Sequence, residues 1–157
     1  RLDRLITRVV SRTCDAELGD QRCGVDLEAG GFREAVTVSG LITPAALRVS
    51  GVEARGAGWF SEGVLEWTSG ANAGARMRVI SHRLDPGGAV VELDPAPARP
   101  VEIGDAAMLT AGCDKQFATC RAKFANADNF RGCPHMPGND ALLAPVSRSA
   151  VRDGSRR

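Results

Sequence analysis

Four of the five cysteines in this chain fall in two pairs, each spanning a short polar stretch. Cys14 and Cys23 enclose eight residues, and Cys113 and Cys120 enclose six. Thiolates are soft ligands for zinc and for iron–sulfur clusters, and two loops offering two thiolates each can converge on one centre. Paired cysteines at structural zinc usually enclose two to four residues, so both gaps are wide for a zinc knuckle. A 4Fe–4S cluster is larger than one ion and takes one thiolate at each of four separated irons, which suits wider gaps. The pattern favours a metal centre at Cys14, Cys23, Cys113 and Cys120, with an iron–sulfur cluster preferred and zinc as the alternative. Spacing by itself leaves free thiols and disulfides open, although an odd number of cysteines argues against a pure disulfide framework.

The fifth, Cys133, stands beside Pro134 and two residues before His135. Read as chemistry, it is a nucleophile with His135 or His82 as its base, which would make the chain a cysteine hydrolase. Read as structure, it is a small residue in a packed loop, and this reading is preferred because no nucleophile elbow or second motif accompanies it. His82 lies within a strand pattern, where a surface or core histidine is the usual outcome. Asp20, Asp26, Asp105, Asp114 and Asp128 sit in loops and are expected to turn or cap the backbone. The stretch Gly70–Gly74 lacks the Lys-Ser/Thr of a phosphate loop.

The elements that must position the cysteines read mainly as β-structure. Alternation runs through Phe32–Thr43 with Val36, Val38 and Leu41, and continues in Trp59–Thr68, Ala75–Leu84 with Met77, Val79 and Ser81, Ala89–Leu93 and Ala107–Thr110. Asp85-Pro86-Gly87-Gly88 and Thr68–Gly74 mark turns between them. Short strands with regular turns predict a small barrel or sandwich. Phe117, Cys120, Phe124 and Ala127 recur at helical intervals, which predicts a short helix opening near Cys120. Leu2, Leu5, Ile6, Val9 and Val10 show the period of an amphipathic helix. The segment 126–140 is rich in Pro and Gly and is expected to wrap over the domain and dock Phe130. The organisation expected is a linker or helix over 1–13 entering from a missing upstream domain, a β-rich domain over 14–140, and a polar tail over 141–157.

Charge is balanced at +1, with 20 basic and 19 acidic residues, which argues against a general nucleic-acid binder. A hydrophobic share of 43% with only 4% aromatic residues implies a modest aliphatic core. No apolar run is long enough to span a membrane. The sequence begins at Arg1, as expected for a piece of a longer protein.

Together, Cys14–Leu27, Trp67–Gly74, Ile103-Gly104-Asp105, Gly112–Cys120 and Asn129–Gly138 resemble the C-terminal part of a family of phage tail proteins. That family includes the baseplate hub proteins of gene transfer agents of the Rhodobacter type. The arrangement is similar in role to the tail-tip protein of phage lambda, whose C-terminal part also carries an iron–sulfur cluster. The resemblance implies a non-enzymatic structural component of the tail tip, assembled in the bacterial cytoplasm. It implies a homotrimer placed between a distal tail protein ring and a tip or fibre-bearing protein, helping to deliver DNA into a recipient cell. It also implies that Cys14, Cys23, Cys113 and Cys120 hold the cluster. Relatives often carry Phe at the place of Cys133, which makes that thiol a bystander.

Overall fold

The computed structural model describes residues 10–136. The helix expected over Leu2–Val10 lies outside this range except for its last residue, and the tail expected over 141–157 lies wholly outside it. Six strands follow one another: β1 (Arg33–Leu41), β2 (Ala46–Ser50), β3 (Gly63–Trp67), β4 (Arg76–Asp85), β5 (Gly88–Asp94) and β6 (Ala106–Thr110). A helix, α1 (Phe117–Phe124), and a 3-10 turn at Ala127–Asn129 complete the described chain. All strand pairs are antiparallel. The order is β1-β2-β5-β4-β3-β6, and β6 pairs back onto β1, so the sheet closes into a barrel. Closure gives every strand two neighbours and leaves no free edge for a foreign strand to join.

Period-two alternation fills the interior. β1 buries Val36 and Val38, β3 buries Leu65 and Trp67, and β6 buries Ala107 and Leu109. Leu47, Val49, Val79, Val91 and Leu93 join them in one core, with Phe60 inserted from the loop before β3. Two of the seven aromatic side chains, Trp67 and Phe60, lie in this core and are its largest fully buried members.

Several expectations need correction. β2 went unread, because five residues between Pro44 and Gly51 carry little periodic signal. Leu41 is half exposed, being out of phase with Val36 and Val38. Trp59 lies in a turn before β3 rather than in the strand. Along β4, one extra residue between Val79 and Ser81 shifts the register against β5. A one-residue slip exchanges the two faces of a strand, so His82 is buried and Ser81 accepts the half-buried place. Helix α1 opens at Phe117, three residues before Cys120, because Asp114 organises the turn ahead of it. The Asp114 carboxylate accepts from the Gln116 N–H at 2.9 Å and from the Thr119 hydroxyl at 2.8 Å.

Candidate metal centre

The first cysteine loop is built around one carboxylate. Asp20 accepts from the backbone N–H groups of Glu17 (3.0 Å), Arg22 (2.9 Å) and Cys23 (2.6 Å). These bonds, that from Cys23 first, hold its carboxyl below the usual range. Gly19 at φ 80° lets the loop reverse, in a left-handed conformation that favours glycine.

The second loop crosses onto the first. The Cys14 N–H donates to the Lys115 carbonyl at 2.9 Å. The Lys115 ammonium donates to the Ala16 carbonyl and lies 3.2 Å from the Glu17 carboxylate. Residues about one hundred positions apart are thereby fixed side by side. α1 is clamped to the barrel mouth by Lys123, whose ammonium donates to the carbonyls of Trp59 and Gly112 and sits over the Trp59 ring. Phe124 packs on Phe32 with ring centroids 5.2 Å apart. The segment after α1 returns across the site, where Phe130 meets Phe117 edge-on at 5.1 Å and the Cys133 N–H donates to the Ser11 carbonyl. Phe130 docks as the sequence implied.

As a result, Cys14, Cys23, Cys113 and Cys120 all line one small cavity, together with apolar side chains such as Ala16, Val25 and Phe124. None is in a disulfide. Cys23 and Cys120 are buried, Cys14 and Cys113 half-buried. Burial pushes the Cys113 and Cys120 thiols above their ordinary value of 9.0. For Cys120, negative charge at Cys113, Cys23 and Cys14 adds to the effect, so the four sulfurs sense one another. Burial also raises Cys113, while the Lys115 N–H and ammonium pull the other way. Raised thiols of this kind are poor nucleophiles. They ionise when a cation supplies the missing compensation, and metal binding then releases protons.

The donor set suits a metal or cluster of soft character, with four sulfurs in an apolar wall. Among the described residues, no group of three His, Cys, Asp or Glu side chains is drawn together tightly enough for a single ion.

Cys133 is exposed and does not line the cavity. The His135 ring packs against Phe117, and His82 is buried edge-on against Phe60 at 5.2 Å. Neither nitrogen of His82 has a hydrogen-bond partner, so nothing among the described residues couples it to a nucleophile. Two contributors went unread in the sequence. Asn126 and Asn129 also line the cavity. The available signal was two asparagines flanking Ala127, where the helical pattern stops, as such residues commonly bond local backbone.

Comparison with known proteins places this geometry in context. No curated protein matches the chain. A chain from the virion of a native gene transfer agent particle matches with a TM-score of 0.78 and 35% identity. The match covers 99% of this chain and 53% of that one, so this chain spans about half the length of its relative. Among the described residues, no helix is long and apolar enough to cross a membrane. The family model for phage conserved hypothetical protein BR0599 matches residues 58–140, a stretch that begins before β3 and includes Cys113 and Cys120. That stretch is more than half of the sequence, and the chain belongs to this phage protein family.

Proposed function

We propose that this chain is a structural part of the tail tip of a phage-like particle or gene transfer agent, with an iron–sulfur cluster as its staple. The carrying observation is that four cysteines, two from before β1 and two from after β6, line one cavity. Membership of a phage family and likeness to a virion chain support the setting. In this reading the chain forms the C-terminal part of a baseplate hub. The hub is a homotrimer between the distal tail ring and the tip or fibre-bearing protein, and it helps pass DNA into the recipient.

Cys14, Cys23, Cys113 and Cys120 would hold the cluster, which supplies a rigid four-way cross-link when bound. Zinc, which takes four ligands at roughly 2.0–2.3 Å, is the alternative occupant, and the gaps of eight and six residues between the paired cysteines are wide for a zinc knuckle. Closing a loop of about ninety residues restricts the unfolded chain, and metal binding becomes folding free energy.

Antibody labelling of intact particles tests the setting. Label at the tail tip, and loss of gene delivery when the protein is withheld, is the expected result. Label on the capsid, or unimpaired delivery, would refute it. The hydrolase reading predicts peptidoglycan cleavage that is abolished by alkylating Cys133. We expect no cleavage before or after alkylation.

A further inference from the structure

We propose that Asn126 is a positioning residue that joins the two cysteine pairs, and that Asn129 fixes which end of its amide faces the thiols. This rests on the reading of the cavity as a cluster site. Asn126 follows Ala125, whose left-handed backbone ends α1. Its main chain grips the second pair: the N–H donates to the Cys120 carbonyl at 3.1 Å, and its carbonyl also accepts from the protonated Cys120 thiol at 3.2 Å, a bond given up when that thiol ionises to bind metal. Its side chain reaches the first pair. Nδ2 donates to the Cys23 carbonyl at 2.6 Å and stands 3.7 Å from Cys23 Sγ.

The amide orientation follows from its neighbours. Asn126 Oδ1 accepts from Asn129 Nδ2 at 2.7 Å. Turning the amide over would set its oxygen against the Cys23 carbonyl and its NH2 against another NH2, losing both bonds. Gly24, beside Asn129, adopts φ 71°, a left-handed conformation that favours glycine. The same segment also offers the Arg131 N–H to Cys14 Sγ at 3.5 Å. Both sulfurs of the first pair therefore face N–H donors from the chain that follows the second pair.

Hydrogen bonds to ligand sulfur stabilise added electron density, so they raise the reduction potential of a bound cluster. Outer-shell partners of metal ligands typically hold about 10–100-fold in metal affinity. The test uses the full chain purified without oxygen. Asn126→Asp keeps the shape but replaces the donor with an acceptor. The expected result is a more negative reduction potential and iron release to a chelator at least about 10-fold faster, with the β-sheet circular dichroism unchanged. A folded variant that takes up no cluster is the extreme form of the same result.

If Asn126→Asp does not fold, Asn129→Ala leaves Asn126 in place and should shift the potential the same way by a smaller amount. A loaded wild type whose variants keep its potential and release rate would overturn the inference alone. A wild type free of iron and sulfide would overturn the cluster reading and this inference with it.

Discussion

Inside the barrel, Leu47, Leu65, Val79 and Leu109 have no exposed surface, and each strand is hydrogen-bonded on both sides. At the cysteine end, residues 14–31 and 111–136 contain no strand, and beside α1 their order owes much to side chains bonded to backbone: Asp20, Asp114, Lys115 and Asn126. The first region is stabilised by apolar burial and a closed ladder. The second buries fewer apolar side chains, among them Ala16, Ala111 and Phe124, and it also buries thiols whose ionisation burial opposes. On the proposed reading, the fold combines a self-sufficient half with one whose order a bound cluster would complete.

The largest effect should come from the barrel. Leu65→Ala removes a fully buried side chain and leaves a cavity in the core. It should lower stability by about 2–5 kcal/mol, read from the denaturant midpoint, whether or not metal is bound. A cost well below 1 kcal/mol would mean that the barrel is less self-sufficient than its packing implies.

Removing metal should act on the other half. Chelation should leave the strand circular dichroism in place while amide exchange quickens at residues 14–24 and 113–131. Equal loss of protection in β1–β6 would merge the two regions into one cooperative unit.

A smaller effect separates the barrel from its cap, the cysteine end at residues 14–31 and 111–136, by pH. Burial, with a contribution from Lys123, holds His82 below its ordinary 6.5. Above pH 6.5 the ring is neutral in both folded and unfolded chains. As pH falls below 6.5, the unfolded chain takes up a proton that the buried ring resists, so stability falls until the folded value is passed. His82→Leu should flatten that part of the stability profile. An unchanged profile would place the titrating group elsewhere.

The sequence exposed the barrel better than the cap. Val36, Val38, Leu65, Met77 and Val79 announce their strands because alternation is local. Barrel closure depends on which strands pair, and the turn of His82 into the core depends on one inserted residue in β4. Neither is written in local periodicity. At the site, the four cysteines stand out by type and spacing, and Asp20, Asp26, Asp105 and Asp114 act on backbone N–H groups as loop aspartates should. Lys115 and Asn126 stayed hidden, because their partners Ala16 and Cys23 lie about one hundred residues away and only the folded chain brings them together.

The central claim is that four thiols hold one cluster and the fifth does not. Iron, zinc and acid-labile sulfide should be measured on the full chain purified without oxygen, with its visible spectrum, beside Cys113→Ser and Cys133→Phe. Near-equal iron and sulfide with a broad band near roughly 400 nm is predicted for the wild type and for Cys133→Phe, and their loss for Cys113→Ser. Zinc without sulfide would contradict the cluster, and a metal-free wild type or a fully loaded Cys113→Ser protein would contradict the four-cysteine centre.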